Sequence, residues 1–262
     1  MSTTTPPPPP QDRRARRAAE RAAGRTRASA PAGAGVLRSP VVLASIGALA
    51  IGVIVVLGLV LSTRPGTVDS VRTPMAGLVA GVPREGRTFG APDARLTIEV
   101  YEDPQCPACG IWTREIEPLL MAKQIAAGDV RLVYRDFAFL GPESLDAAVA
   151  MRAAEQLGGR FWEMHALVFA NQKGENKGAL SRDRLAEMAV LAGLDRTAFL
   201  ALLDDPALIA AVEEETQAGA ARGIASTPTL VIGGELAPGV PSWAELDALV
   251  TVLLAAEASD AR

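Results

Sequence analysis

The sequence predicts an α/β domain that carries an all-helical insertion and is preceded by one transmembrane helix. Three observations predict it. Residues 41–61 form an uncharged apolar stretch, a strand-like alternation at 96–101 runs directly into the chain's two cysteines, and purely helical patterning at about 142–223 separates the first strands from the last.

Residues 1–40 open with a polyproline run at 6–10 and continue in Arg, Ala, Gly and Ser with almost no large apolar side chain. Such a composition cannot bury a core, so a disordered, Arg/Pro-rich tail is expected. The segment 41–62 is expected to be a transmembrane signal-anchor helix, since about 20 apolar residues at roughly 1.5 Å each cross the roughly 30 Å hydrocarbon layer. A cleaved signal peptide has a shorter apolar region, about 7 to 15 residues, and needs small residues at the cut, which Leu61, Ser62 and Thr63 supply poorly. The tail sets eight arginines against Asp12 and Glu20. The positive-inside rule keeps it in the cytoplasm and sends the rest across, giving a single-pass cell-membrane topology with the folded domain extracytoplasmic. Scattered Gly, Pro and Thr make 63–85 a linker.

The folded domain is expected at 86–258. Leu96, Ile98 and Val100 alternate with Thr97, Glu99 and Tyr101 as a half-buried strand. The cysteines follow, then a helix at 112–127 interrupted or kinked by Pro118, then a strand at 130–134, the unit of a parallel pair. Helical patterns cover 147–157, 161–171, 184–192 and 206–221, the last opened by Asp205 ahead of Pro206. Residues 229–232 form a short apolar strand, Gly233 and Gly234 a hairpin turn, and 235–237 a return strand. Ser242 stands three residues before Glu245, the capping-box spacing, and starts the last helix.

Composition removes some functions. The net charge of −4 divides into about +6 on residues 1–40 and about −10 on the rest. An acidic domain lacks the clustered Lys and Arg that nucleic-acid binding requires, so no nucleic-acid partner is expected. Cys106 and Cys109 leave no cysteine for a structural staple. With the single histidine, His165, they fall short of the four ligands of a structural zinc site. No metal and no bound cofactor is expected, and redox chemistry is the better use of the pair.

Cys106-Pro107-Ala108-Cys109 sits where a strand meets a helix. Only a thiolate attacks a disulfide, and the unpaired N–H groups and positive dipole end of a helix amino terminus stabilise one. Pro107 suits the first helical position, where a missing N–H costs nothing. Two intervening residues bring Cys109 one turn along from Cys106, close enough for a reversible disulfide. About 120 residues on, Ser226-Thr227-Pro228-Thr229 leads into a strand.

Together these motifs resemble the thioredoxin-like superfamily and, within it, the DsbA-like exported disulfide oxidoreductases. The stretch Glu102-Asp103-Pro104-Gln105-Cys106-Pro107-Ala108-Cys109 looks like the family's active site, 223–229 like its cis-proline loop, and Phe161-Trp162-Glu163-Met164-His165 like a family helix. The resemblance spans about 86–256. It implies a thioredoxin-like fold with an inserted all-helical subdomain, a catalytic pair in Cys106 and Cys109 supported by Pro107 and Ala108, and a cis Pro228 facing them. It also implies that Thr227 offers its backbone to an extended substrate. Two departures stand out. Ala108 replaces the histidine of the DsbA dipeptide, and Val100 occupies the position, six before Cys106, where many relatives carry a buried acid. Glu99, Glu102 and Asp103 are nearby acids read as solvated, His165 as a packed residue, and Glu213 to Glu215 as a solvated helix face.

The expected function is therefore a membrane-anchored thiol-disulfide oxidoreductase, an oxidase that gives disulfides to exported proteins and is reoxidised by a membrane quinone-linked partner. A reductase fed with electrons through the membrane, for example in cytochrome maturation, uses the same residues in reverse. A tethered holdase with a static disulfide is a third reading. An isomerase needs two presented sites, and no dimerisation segment stands out.

Overall fold

The structure is a computed structural model that describes residues 81–260 together with Gly52 and Val53. Apart from those two residues, the tail, the anchor at 41–62 and the linker up to residue 80 lie outside the described residues. Among the described residues, no helix is long and apolar enough to cross a membrane.

The domain opens with a hairpin of two-residue strands, β1 (Arg84–Glu85) and β2 (Thr88–Phe89). Strands this short have no periodicity to read, and the sequence reading missed them. β3 (Leu96–Glu102) pairs in parallel with β4 (Val130–Asp136), Leu96 opposite Val130 and Glu102 opposite Asp136. On its other side β3 pairs antiparallel with β5 (Thr229–Ile232), which turns back into β6 (Glu235–Pro238). The sheet order is β1-β2-β4-β3-β5-β6, so β3 lies inside the sheet. The period-two alternation is met, with Leu96, Ile98 and Val100 buried. Gly233 and Gly234 have φ of +60° and +87°, the left-handed pair that a two-residue hairpin turn needs.

The helix α1 joins β3 to β4 through Pro107–Ile111, Trp112–Ile116, Glu117–Leu120 and Met121–Ile125, the second and fourth wound as wider π turns. Pro118 has no N–H to donate and its ring crowds the preceding turn. The widened winding just ahead of it accommodates both, so the regular α winding is interrupted at Pro118, as expected, while the helix runs on to Ile125.

The insertion comprises α2 (Pro142–Gly158), α3 (Phe161–Ala170), α4 (Arg182–Leu191), α5 (Arg196–Leu202) and α6 (Pro206–Ala221). Asp205 caps α6 as expected, its side chain accepting from Ala207 N at 2.8 Å. α5 has a single fully buried side chain, Phe199, too little patterning to announce a helix. The last helix, α7 (Trp243–Asp260), starts on a reciprocal box: Glu245 Oε2 accepts from Ser242 N at 2.9 Å, and Ser242 Oγ accepts from Glu245 N at 3.3 Å.

One expectation for α6 needs correcting. Glu213 and Glu214 are exposed, but Glu215 turns inward and binds Arg152 (2.8 Å), Arg135 (3.2 Å) and Arg87. It lies beside the fully buried Asp136, whose own partners are Arg152 (2.6 Å) and Arg87 (3.3 Å). Asp136 lies at the end of β4, and its charge cannot stay unpaired there. α6 also approaches the sheet closely at Gly219, where a Cβ would stand 2.9 Å from the Phe137 ring and 3.0 Å from Tyr101. Both rings are buried, so Gly219→Ala is expected to destabilise the domain by about 1 to 3 kcal/mol, measurable by urea unfolding.

Candidate active site

The residues between β3 and α1 form a turn organised by Asp103. Its Oδ1 accepts from Gln105 N at 2.7 Å and Ser144 Oγ at 2.6 Å, its Oδ2 from the backbone N–H groups of Phe139 (2.8 Å) and Leu140 (2.9 Å), and its carbonyl from Cys106 N at 3.0 Å. Asp103 is fully buried, which corrects its reading as a solvated acid. Its carboxylate receives four donors where water would otherwise be needed.

Cys106 is the residue at which the chain enters α1, with extended φ and ψ of −67° and 120°, and Pro107 takes the first turn. Cys106 is 8% exposed and Cys109 is 0% exposed; both thiols are free in this structure. The Thr227–Pro228 peptide is cis and brings Thr227 alongside, with Cys106 Sγ donating to the Thr227 carbonyl at 3.2 Å. Cys106, Cys109, Pro107, Ala108, Thr227 and Pro228 thus form one locus at the start of α1 and β5. Of the two thiols, only Cys106 keeps any exposure.

The two thiols differ in acidity. Cys106 is lowered from 9.0 to about 6, first by a hydrogen bond from the Cys109 thiol, against partial burial, with help from Thr227 and the backbone N–H groups of Cys109 and Ala108. Cys109 is held well above its ordinary value by burial, by its bond to Cys106 and by the nearby Glu102. The depressed Cys106 value favours the folded dithiol form fully above about pH 9, and that contribution is lost as pH falls through about 6. Thiolate absorbance of the reduced protein is expected to titrate near pH 6, so that Cys106 is roughly nine-tenths thiolate at pH 7. A single transition near 9 would contradict this.

Beneath Cys109 lies a buried polar group that the sequence reading did not assemble. Glu102 at the end of β3, Glu117 in α1 and His165 in α3 are all 0% exposed, with one ligand-type atom of each within 4.8 Å of the others. His165 Nε2 and Glu102 Oε2 share a hydrogen bond at 3.2 Å, and Thr113 Oγ1 donates to Glu102 Oε1 at 3.3 Å. Among the described residues, Glu117 has no hydrogen-bond partner on either oxygen, and His165 Nδ1 has none. Burial pushes Glu102 well above the carboxylate range and Glu117 up to about 8, and it lowers His165. Glu102, read as solvated, is thus fully buried, and its surroundings disfavour its charged form. Three donors at this spacing could embrace a cation. The rings of Tyr134, Phe161, Trp162 and Phe169 surround His165, and burial favours the protonated form of both carboxyls. Glu102 is two residues past Val100 on the same strand face, and the alternation of β3 could have revealed it.

A family model described as Thioredoxin matches residues 84–251. A Na(+)/H(+) antiporter NhaA of Herminiimonas arsenicoxydans is 33% identical over 147 residues, which is 55% of this chain but only 22% of the antiporter. A probable disulfide bond formation protein D of Bacillus cereus is 25% identical over 154 residues, 58% of this chain and 71% of that protein. Among solved structures, α-DsbA1 of Wolbachia pipientis superposes with a TM-score of 0.62 at 17% identity, covering 71% of this chain and 99% of that one, a likeness of fold.

Proposed function

Because the chain belongs to the thioredoxin family, as a DsbA-like member, we propose that it is a thiol-disulfide oxidoreductase whose main work is to form disulfides in exported proteins. The observation that carries this reading is the asymmetry of the two thiols. A reduced state whose Cys106 sulfur is stabilised as a thiolate makes the corresponding disulfide a better oxidant, whereas a static staple has no use for such a difference.

The geometry supports a defined exchange. A client thiolate attacks Cys106 Sγ, the sulfur with access, and forms a mixed disulfide as the Cys106–Cys109 bond breaks. Cys109 leaves with the bonding electron pair and takes up a proton, since a thiolate there is unfavourable, with the nearby buried Glu102 carboxyl as its donor. A second client thiolate then attacks the client's own sulfur, and Cys106 departs as a stabilised thiolate. The client gains a disulfide and the two electrons remain on Cys106 and Cys109. Thr227 and the cis Pro228 lie beside Cys106, suited to align an extended client segment by its backbone.

Two considerations support a site of action outside the cytoplasm: the apolar stretch 41–62 with arginines on its amino-terminal side, and the need of disulfide formation for an oxidising compartment. A membrane quinone-linked partner then removes the electrons. In the test, oxidised protein is mixed with a reduced, unfolded polypeptide bearing two cysteines. Loss of two client thiols per protein, with conversion of the protein to the dithiol, is the expected result. Transfer no faster than with glutathione disulfide at the same potential would sink the oxidase reading.

A further inference from the structure

The loop 171–181 between α3 and α4 reaches from the insertion to the active-site turn. Gln172 Nε2 donates to the carbonyl of Pro104 at 2.8 Å and to that of Cys106 at 3.0 Å. Asn176 donates its backbone N–H to Gln105 Oε1 at 2.5 Å, accepts from Gln105 Nε2 at 3.2 Å, and donates Nδ2 to the Leu140 carbonyl at 2.8 Å. Among the described residues, Asn176 is the single non-glycine with a positive φ, +51°. A left-handed residue other than glycine persists where its surroundings over-determine it, and asparagine is among the residues that tolerate the conformation best. The fit to the catalytic helix is close: a Cβ on Gly110, the residue after Cys109, would collide with Gln172 Oε1.

We propose that Gln172 is a positioning residue of the exchange reaction, a clamp from the insertion that holds the Cys106 turn in the dithiol state. The proposal rests on the oxidoreductase reading. In the disulfide state the Cys106–Cys109 bond closes the turn covalently. On reduction that link is gone, and the N–H groups of Ala108 and Cys109 stay aimed at the Cys106 sulfur only while the turn is held by other means. Gln172, tied to the carbonyls on both sides of Gln105, supplies that hold, and Asn176 fixes Gln105 between them. The clamp therefore favours the reduced state over the oxidised one.

The test compares the full-length protein with Gln172→Met, which keeps length and bulk against Gly110 but has no donor. Equilibrated with glutathione, the variant is expected to shift threefold to tenfold toward the disulfide, about 15 to 30 mV less oxidising, with its thiolate titration moved to higher pH. Asn176→Gly keeps the left-handed backbone and its N–H but loses the side-chain bonds. It is expected to shift in the same direction by less, and it carries the test should Gln172→Met fail to fold. An exchange constant within twofold of the parent in both variants, with an unmoved titration, overturns the clamp even if melting temperatures fall. A parent protein that does not exchange with glutathione overturns the oxidoreductase reading and the proposal together.

Discussion

A Cys109→Ser variant is expected to accumulate as a mixed disulfide with its client, and turnover to fall by roughly 10³-fold or more in both Cys109→Ser and Cys106→Ser. The two variants fail for different reasons. In Cys109→Ser the outer sulfur keeps its position, and the serine hydroxyl can still donate to it, so Cys106 remains a reactive thiolate. It attacks a client disulfide and forms the covalent complex, but the sulfur that would resolve the complex from below is gone. In Cys106→Ser the remaining thiol is fully buried and held protonated, so neither attack nor capture occurs. Non-reducing gel electrophoresis after trapping with acid separates the cases. Equal capture by both variants would mean that Cys109 is reachable from solvent and that the assignment of roles is wrong.

The second large effect concerns stability. Glu117 is fully buried and pushed from 4.5 up to about 8, chiefly by burial, with the neighbouring Glu102 adding to it and His165 opposing. Between those two pH values the folded protein holds a proton that the unfolded chain releases, so this group lowers stability progressively as pH rises from 4.5 to 8. Below 4.5 the contribution vanishes. At pH 7 the difference amounts to about 2 to 4 kcal/mol. Glu117→Gln keeps the shape, removes the titration, and is expected to raise stability by about that amount at pH 7 and by nearly nothing at pH 4, as read from urea unfolding at each pH. A gain independent of pH would show that Glu117 is not the titrating group.

Much of the domain was legible because local signals and tertiary demands agree. The alternation of β3, the glycine pair after β5, the box at Ser242 and the cap at Asp205 each state a backbone requirement within a few residues. The cysteine pair could be placed for the same reason, since it lies at a junction of elements, whereas the cis Pro228 was reached only through the family resemblance. What escaped depends on contacts distant in sequence. Glu102, Glu117 and His165 meet only once α1 and α3 have packed against β3, and a lone acid in sequence reads as solvated by default. Asp103 is buried because backbone donors from the start of the insertion converge on it, 36 and 37 residues away. The left-handed turn at Asn176 gave a signal only in its flanking glycines, Gly174 and Gly178.

Val100 and Glu102 show how much depends on a shift of two residues. Where many relatives carry a buried acid at the position of Val100, this chain has an apolar residue, and its buried carboxyl stands one pleat further along the same face of β3, next to the thiols. His165 and Glu117 lie with that carboxyl in one buried cluster. Ala108 removes an imidazole from between the cysteines. Cys106 nonetheless falls to about 6 through the Cys109 thiol, Thr227 and the backbone N–H groups. That value lies below the roughly 7 of thioredoxin and above the roughly 3.5 of DsbA, so an intermediate oxidising power is the expected result.

The reduction potential of the Cys106–Cys109 pair, measured by equilibrating the protein against glutathione buffers at pH 7, tests the proposed direction of electron flow most directly. The thiolate stabilisation at Cys106 predicts a value between about −230 and −120 mV, more oxidising than thioredoxin. A value at or below about −270 mV would mean that the dithiol is not favoured, and the assignment as a disulfide donor would be wrong.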